Sequence, residues 1–518
     1  MATMRAGTCT ISLAGCLLVA ACGKVSSDDG DGGDNQAPVA TPAELSTWTS
    51  TPIEGQLAGE DPEGEPLTFA VADQPTGGTL ELEEDGSFRY TPARGSSGED
   101  AFTFIVDDQT DISEEATVAI SIAPLTDGTP DADFGDGGVV ISNLGDDDVL
   151  TGVVAMPDGR IAVSGNSGGE WAVVAGYSVR GAVLSPWGEG GSGNTMLNLG
   201  EYDAFGDLVQ QADGRLVSVG QTQTGPNRDV MLLGLTNDMG YLDSSFADGG
   251  VVLTNVVADD ADVAEAVALL SDGRLLVAGY ASNGSNQDFL VMRYTADGEL
   301  DDSFGTGGST LVNFGGFEQV ADLTIDGTGN IVLVGTKGND MAIARVSAEG
   351  QIDDGFGAEG TVLLDRGEIE EAVAVVIGPD GAIYVGGTAQ DGGVRTMVVA
   401  RLTPAGELDA SFGEDGWGVA ASPSAETFAH DMVLLPNQTL LLVGGWLEDD
   451  VTQAAAARID LSGRMDPLFG DGGFYRQVIG SSGEDVLHAA ALQEDGMVVA
   501  AGSSRNANVD ALLVRLGW

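Results

Sequence analysis

The sequence predicts an all-β protein with two folded parts: an N-terminal Ig-like sandwich, followed by a seven-bladed β-propeller. Composition is the first reason, because glycine contributes 78 of 518 residues while hydrophobic residues still make up 42% and aromatic residues only 6%. Such a composition favours a folded, turn-rich β protein. Short alternating segments separated by turn residues then fill residues 37–124, and from residue 131 a motif with an aromatic residue recurs every 52 to 59 residues.

The charge balance is strongly acidic. Lys and Arg together number 20 against 81 Asp and Glu, which gives a formal net charge of −61. Nucleic acids and anionic lipid surfaces require a positive protein surface, so this balance disfavours both as binding partners. It favours solubility, metal cations or basic partners.

Residues 1–21 have the pattern of a lipoprotein signal peptide. Arg5 supplies a short positive region, and the apolar run 6–20 is too short to remain as a membrane-spanning helix. The run ends in Val-Ala-Ala-Cys, which resembles the lipobox of bacterial lipoproteins, whose cysteine is lipidated after cleavage. We therefore expect lipidation of Cys22 and anchoring to a membrane through that lipid. A similar motif ending at Cys16 is one alternative, and a plain secretory signal is another.

Residues 22–36 are acidic and glycine-rich, which is typical of a flexible tether. The cysteines of the chain, Cys9, Cys16 and Cys22, all precede it or begin it. Cleavage before Cys22 would leave only the lipid-bearing thiol, which excludes disulfides, zinc–cysteine sites and a cysteine nucleophile. Because Gly23 follows the cysteine where an aspartate is associated with inner-membrane retention, we expect an outer-membrane lipoprotein, periplasmic or surface-exposed.

Residues 37–124 form the predicted sandwich. Segments such as LTFAVAD, SFRYTP and DAFTFIVDD alternate apolar and polar residues and are separated by turn signals such as Asp-Gly, the pattern of antiparallel strands. The stretches APV (37–39), GEDPEGEPL (59–67), DGSFRYTP (85–92) and DAFTF (100–104) resemble bacterial Ig-like and cadherin-like modules of surface proteins.

That resemblance implies a calcium site between acidic loops at one end of the sandwich. The candidate ligands are Asp61, Glu63, Asp107 and Asp108. A hard cation needs several converging carboxylate oxygens, which these residues would supply. The alternative is that the same acids are turn residues that cap loops.

The second part consists of repeats built on the frame Asp-x-x-Phe-Gly-x-x-Gly. The frame occurs as DADFGDGG (131–138), DSSFADGG (243–250), DDSFGTGG (301–308), DDGFGAEG (353–360), DASFGEDG (409–416) and DPLFGDGG (466–473), with a degenerate copy around residue 187. The aromatic anchors are Phe134, Trp187, Phe246, Phe304, Phe356, Phe412 and Phe469. About 56 residues per repeat, holding roughly four short strands, are typical of a propeller blade. We interpret each aromatic residue as a structural wedge between blades.

A hairpin signal follows each anchor and ends in glycine, as in SDGRLLVAG (271–279), whose last residue is Gly279. The frame, the hairpin and a following strand of the type VxR are similar to the delta-60 repeat, a bacterial surface-protein repeat, over residues 131–518. The resemblance implies an extracytoplasmic repeat domain and no particular reaction. Five repeats carry an arginine in the third strand, for which we expect pairing with the Asp of the frame: Arg293, Arg345, Arg401, Arg458 and Arg515.

Signals of catalysis are few. The only histidines, His430 and His488, occupy the same repeat position, so the propeller would place them side by side as a metal or proton-transfer pair. The chain has no phosphate loop or HExxH motif. The sequence therefore predicts a lipid-anchored envelope protein that binds or adheres to a protein or glycan, with calcium as the one cofactor suggested. A polymer-acting hydrolase or lyase and a purely structural spacer are the alternatives.

Overall fold

A computed structural model of the chain describes residues 35–48, 52–93, 96–123, 128–188, 191–225, 227–257, 260–282 and 284–518. The predicted signal peptide, Cys22 and nearly all of the tether lie outside these residues. Over the described part the chain is all-β, and no helix there has the length and hydrophobicity needed to span a membrane. The chain divides into two compact units, residues 1–126 and 127–518.

Unit 1 is a sandwich of a four-stranded sheet and a three-stranded sheet, with a small two-stranded sheet beside them. Its strands are β1 (Val39–Thr41), β2 (Ala43–Trp48), β3 (Ile53–Gln56), β4 (Ala58–Glu60), β5 (Thr68–Asp73), β6 (Gly78–Leu82), β7 (Ser87–Pro92), β8 (Gly98–Asp107) and β9 (Ala116–Ala123). The larger sheet has the order β2-β9-β8-β5, in which β2 and β9 are parallel, and the smaller has the order β3-β7-β6. Alternating residues of both sheets, among them Tyr90 and Phe104, form one core.

Unit 2 contains, over its described residues, seven four-stranded antiparallel sheets. We number them in chain order and call the first strand of each its inner strand. Sheet 1 comprises β11 (Asp148–Ala155), β12 (Ile161–Ser167), β13 (Trp171–Tyr177) and β14 (Asn194–Leu197). Sheet 2 comprises β15 (Asp203–Gln210), β16 (Leu216–Gln223), β17 (Arg228–Leu235) and β18 (Val251–Thr254). Sheet 3 comprises β19 (Asp262–Leu269), β20 (Leu275–Ser282), β21 (Gln287–Tyr294) and β22 (Ser309–Val312).

The remaining sheets repeat this order. Sheet 4 comprises β23 (Glu318–Ile325), β24 (Ile331–Lys337), β25 (Asp340–Val346) and β26 (Thr361–Leu364). Sheet 5 comprises β27 (Ile369–Ile377), β28 (Ile383–Asp391), β29 (Val394–Leu402) and β30 (Trp417–Ala420). Sheet 6 comprises β31 (Glu426–Leu434), β32 (Thr439–Glu448), β33 (Val451–Asp460) and β34 (Phe474–Gln477). Sheet 7 comprises β35 (Asp485–Leu492), β36 (Val498–Arg505) and β37 (Val509–Leu516), and its outermost strand is β10 (Val139–Ser142) from the start of the unit.

The second and third strands of each sheet are buried on both faces because they pack between two other sheets. Strand β20, for example, has seven consecutive buried residues. The sequences of strands in this environment are continuous runs of apolar residues and do not alternate between apolar and polar residues. The burial therefore explains why segments such as LLVAGYA show no polar face.

The aromatic anchors lie between consecutive sheets, where the sequence analysis placed them. Each is at most 1% exposed, and each belongs to a different hydrophobic cluster formed by two adjacent sheets. Phe304, for example, packs against residues of sheets 3 and 4, including Phe289 and Ile331. One aromatic ring thus fills the space at each junction between sheets.

The five repeated arginines pair with the Asp of the frame, as expected. Arg293 Nε lies 2.8 Å from Asp301, and Arg345 Nε lies 2.7 Å from Asp353. The other pairs are Arg401 with Asp409, Arg458 with Asp466 and Arg515 with Asp131. In sheets 3 and 4 the guanidinium carbon also lies 4.8 Å and 4.6 Å from the centroid of the anchor ring. In these sheets the arginine therefore joins the ion pair to the wedge through a cation–π contact, whereas in sheet 5 the guanidinium of Arg401 lies over the ring of Tyr384.

Sheets 1 and 2 lack this arginine, and other residues contact the aromatic anchor and the Asp of the frame there. Gly176 and Gly234 stand in its place, and a Cβ there would lie 2.8 Å and 2.5 Å from the rings of Trp187 and Phe246. In sheet 2, Arg215 from the preceding hairpin pairs with the Asp of the frame. The repeat pattern does not reveal this replacement, because Arg215 is distant in sequence from the position at which the other repeats carry their arginine.

We expect the substitution Phe304→Ala to destabilise unit 2 by about 3 to 5 kcal/mol, since it removes a fully buried aromatic wedge. The matched control is Phe317→Ala, because Phe317 is 64% exposed and its removal leaves no cavity. Chemical denaturation of both variants measures the difference. Equal stabilities for the two variants would contradict the wedge role.

Candidate functional site

Every inner strand of unit 2 that the structure describes carries a β-bulge at the same point of its pairing with the second strand. The residues at the bulge are Thr151, Gly206, Glu265, Ala321, Val373, His430 and His488. A bulge bends the strand and changes the direction in which side chains point. The bulges therefore decide which side chains face the space enclosed by the inner strands.

The glycine that ends each hairpin signal makes the bulge possible. A Cβ on Gly279 would lie 1.9 Å from the carbonyl oxygen of Val263, a distance that no side chain tolerates. The same clash, at 1.9 to 2.0 Å, exists for the equivalent glycines Gly165, Gly220, Gly335, Gly387, Gly444 and Gly502. Only glycine allows the second strand to approach the bulged strand this closely.

The inner strands of all seven sheets line one cavity of about 760 Å³, which we call the inner-strand cavity. Its volume lies within the range of small-molecule sites in proteins. All seven bulge residues line it. The acidic residues of its wall are Asp207, Glu265, Asp322, Glu371 and Asp431. Among the described residues that line the cavity, none is a lysine or an arginine, so the wall favours cationic or hydrogen-bond-donating groups.

Three of these acids directly follow the bulge, in sheets 2, 4 and 6, and each bridges to the inner strand of the next sheet. The bridging bonds are donated by backbone amides: Val267 to Asp207 at 3.1 Å, Val375 to Asp322 at 2.7 Å, and Ala490 to Asp431 at 2.7 Å. A second backbone amide, that of the following residue, donates to the other oxygen of each carboxylate. The three aspartates therefore hold neighbouring inner strands together while they face the cavity.

Burial raises the pKa of these groups strongly. It raises the pKa of Asp207 to about 7 and that of Asp431 to about 6, and it raises the pKa of Asp322 well above its usual value. The charge of Asp431 adds to the shifts of Asp207 and Asp322. Glu265 has a pKa of about 7, again because of burial, although Arg228 partly offsets the shift. At neutral pH the cavity wall is thus partly protonated, and a bound cation would release protons from it.

The two histidines meet in this cavity, as expected from their equivalent positions. Their ring centroids lie 4.8 Å apart, and His488 Nε2 lies 3.2 Å from Ser503 Oγ. Burial lowers the pKa of His430 to about 4 and that of His488 to about 3. His430 is exposed, but its exposed surface faces the cavity, whose walls still remove most of the water around the ring. Both imidazoles are therefore neutral at physiological pH.

The four acids predicted as calcium ligands lie in two loops of unit 1. Asp61 and Asp108 each accept hydrogen bonds from backbone amides of their own turns, and Asp107 accepts one from the Gln109 amide. Glu63 accepts a bond from the side chain of Gln36. Within the described residues these acids do not form a group of three converging ligand atoms. Calcium binding at this site stays a prediction. Asp61, Asp107 and Asp108 accept amide hydrogen bonds within their own turns, whereas Glu63 accepts from Gln36, outside its loop.

We expect the two histidine rings to remain neutral when the pH is lowered from 8 to 5, because their pKa values lie at about 4 and about 3. Ring ¹⁵N shifts of histidine-labelled protein measure this directly, since the chain contains only these two histidines. The urea-unfolded chain is the control and should titrate near pH 6.5. Because the unfolded chain takes up protons below that pH and the folded chain does not, this pair also lowers stability as the pH falls. Titration of a folded ring near 6.5 would contradict the described cavity.

Comparison with known proteins supports both parts of the fold. Residues 35–124 match the model of the bacterial cadherin-like domain. Residues 270–304 and 378–412 match the model described as a domain of unknown function (DUF5122) beta-propeller. No curated protein matches the chain.

The solved structures that match the chain have low similarity to it. A structural genomics protein of unknown function from Bacteroides thetaiotaomicron is 13% identical, with a TM-score of 0.32, and the match covers 79% of this chain and 95% of that chain. The extracellular domains 1-2 of Drosophila Semaphorin 1b are 10% identical, with a TM-score of 0.35, over 76% of this chain and 88% of that chain. An endo-fucoidan hydrolase from glycoside hydrolase family 107 is 26% identical, with a TM-score of 0.15, over 18% of this chain and 17% of that chain.

The matches to the family models identify two kinds of domain, cadherin-like and β-propeller, and both kinds agree with those predicted from the sequence. Domains of these two kinds indicate an extracellular or cell-envelope protein. The chain therefore contains a bacterial cadherin-like domain followed by β-propeller repeats of this uncharacterised family.

Proposed function

We propose that the protein is a lipid-anchored cell-envelope binding protein whose seven sheets are the blades of one closed propeller, and that the inner-strand cavity holds part of a protein or glycan ligand. Closure is supported by strand β10, which completes sheet 7 by pairing with β37, so that Val140 lies opposite Leu513. It is also supported by the cluster around Phe134, which contains residues of sheet 7 and of sheet 1. Pairing strands from the two ends of a repeat array holds those ends together and leaves only short, protected edges.

One observation supports the binding function: the repeats share their anchor and hairpin residues but differ from each other where they face the cavity. The anchor position is aromatic in every repeat, and the hairpin position is glycine in every repeat. At the bulge the residues range from Gly206 to Glu265 and His430. Because the fold tolerates all of these residues, their identity at each blade is free to serve a ligand.

The chemistry of the wall defines the ligand class. Five acidic side chains and no lysine or arginine line the cavity among the described residues. Amino groups, whether of a lysine side chain or of an amino sugar, would replace the protons on Asp207, Asp322 and Asp431 and pair with the carboxylates. We therefore expect a ligand that presents one or more amino groups to the cavity.

The test uses full-length protein labelled with ¹⁵N-histidine and three small probes: tri-lysine, a glucosamine trimer and its N-acetylated form. We expect the first two probes to shift both histidine ring signals, because His430 and His488 line the cavity, and the acetylated trimer to shift neither. The substitution Asp431→Asn should weaken binding at least about tenfold, since it removes a charge from the wall. The control Asp354→Asn changes an exposed acid elsewhere and should leave binding unchanged.

Nonspecific binding of the cationic probes to the acidic surface must be distinguished from binding in the cavity. With a net charge of −61 the protein can attract cationic probes anywhere on its surface. Binding that leaves the histidine signals unchanged, or that Asp431→Asn and Asp354→Asn weaken equally, would contradict a cavity site.

We expect Cys22→Ser to move the protein from the membrane fraction to the soluble fraction, because the lipid on Cys22 is the proposed anchor. The matched control is Cys16→Ser, which alters the alternative motif and should leave the protein in the membrane fraction. Metabolic labelling with a radioactive fatty acid, followed by fractionation, gives both readouts. Loss of label in Cys16→Ser and its retention in Cys22→Ser would assign the lipid to the other cysteine.

A further inference from the structure

Three carboxylates converge at the junction between sheets 4 and 5. Asp340 is the first residue of β25, Asp365 directly follows β26, and Glu370 lies in the inner strand β27. One oxygen of each lies within 4.8 Å of the others. No other group of three possible ligand residues this close exists among the described residues.

Glu370 is buried and has no partner. Its side chain is 1% exposed, and neither carboxylate oxygen has a hydrogen-bond partner. The backbone amide of Arg366 lies nearby without reaching hydrogen-bonding geometry, and the guanidinium carbon of Arg366 lies 5.4 Å from the ring centroid of Trp417. Leaving a buried carboxylate without a hydrogen bond or counter-charge is costly, so this site needs a partner that protein groups do not supply.

The equivalent position in other inner strands shows how this requirement is otherwise met in part. Asp148, Asp203 and Asp262 each accept hydrogen bonds with Oδ2 from amides of the preceding loop, at 2.7, 2.5 and 2.6 Å for the shorter bond, so that only Oδ1 is left without a partner. Glu318 at the preceding junction also has no hydrogen-bond partner for either oxygen. Burial raises its pKa, the charge of Asp288 adds to the shift, and the charge of Lys337 partly offsets it. Burial also raises the pKa of Glu370. The negative charges of Asp365 and Asp340 raise this pKa further, and their effect is larger than the opposing effect of the positive charge of Arg366.

Asp365 stands where four other sheets carry asparagine. The equivalent residues, each directly after the outermost strand, are Asn143, Asn198, Asn255 and Asn313. Asn255 Nδ2 donates to Asp229 at 2.8 Å, and Asn143 Nδ2 donates to Asp510 at 3.3 Å, where Asp229 and Asp510 are the equivalents of Asp340. An aspartate in this position cannot donate, so the junction loses an internal donor and gains a third negative charge.

We propose that Asp340, Asp365 and Glu370 bind a calcium ion that joins sheets 4 and 5. The ligand set consists of carboxylate oxygens alone, which suits a hard cation. Asp365 is exposed, which leaves room for water molecules to complete the six to eight oxygen ligands that calcium takes. The site is independent of the inner-strand cavity and of the ligand proposed for it.

The test compares full-length wild-type protein with Asp365→Asn, which installs the residue that four of the other sheets carry at this position. Titration calorimetry with CaCl₂ up to millimolar concentration covers the affinities of extracellular calcium modules, about 10⁻⁴ to 10⁻³ M. We expect Asp365→Asn to lose one binding event or to weaken it at least about tenfold, while the exposed-acid control Asp354→Asn binds like the wild type. Thermal unfolding in chelator should show Asp365→Asn at least as stable as the wild type, because the asparagine restores a donor. Added calcium should stabilise the wild type and not Asp365→Asn.

A calcium ion bound in the cadherin-like domain would appear equally in the wild type and in Asp365→Asn, so it does not interfere with the comparison. Equal stoichiometry and affinity in the two proteins would overturn the proposal. Equal affinity of the wild type for magnesium and calcium would overturn the calcium assignment. A result of either kind leaves the histidine signals used for the cavity ligand unaffected, so the two proposals fail separately.

Discussion

The close approach of a hairpin glycine to the carbonyl of a bulged inner strand is the constraint on which unit 2 depends. At Gly279 a single added carbon would collide with the carbonyl oxygen of Val263 at 1.9 Å. The bulge in turn rotates Glu265 toward the inner-strand cavity and places Val267 where Asp207 can accept its amide. A substitution at this glycine would therefore affect the pairing of the strand, the contact with the neighbouring sheet and the wall of the cavity together.

The repeats separate structural from functional positions. The aromatic anchors lie at the junctions between sheets, where they are buried and hardly vary, and five of the seven repeats add the arginine–aspartate pair there. The bulge residues face the cavity and vary freely, from Gly206 to His488. A scaffold of repeated sheets can hold an asymmetric site, because each sheet contributes one side chain without altering the core of its neighbours.

Local sequence signals predicted the architecture because they act over short distances. Asp-Gly turns, apolar strands and the frame around Phe304 are each contiguous, and their periodicity shows that they form equivalent units. Repeat equivalence also predicted that His430 and His488 would be neighbours and that Arg293 would pair with Asp301.

The features of the candidate sites that the sequence did not predict depend on contacts between repeats. The raised pKa of Asp207 follows from burial beside another sheet, which one strand does not reveal. Likewise, Asp365 differs from its asparagine equivalents by one atom, and its significance appears only beside Asp340 and Glu370. The sequence alone could not identify this cluster of three acids, because the chain contains 81 acidic residues and nothing in their spacing marks these three.

The central claim is that the seven sheets close into one ring through β10, and a disulfide trapped across the seam tests it most directly. Val140→Cys and Leu513→Cys place thiols at opposed positions of β10 and β37, in a chain whose native cysteines are replaced by serine. Leu232→Cys with Val252→Cys, the equivalent opposed pair within sheet 2, is the positive control. Closure predicts that both pairs oxidise to the same extent in the folded protein. Oxidation of the control pair alone would contradict the closed ring.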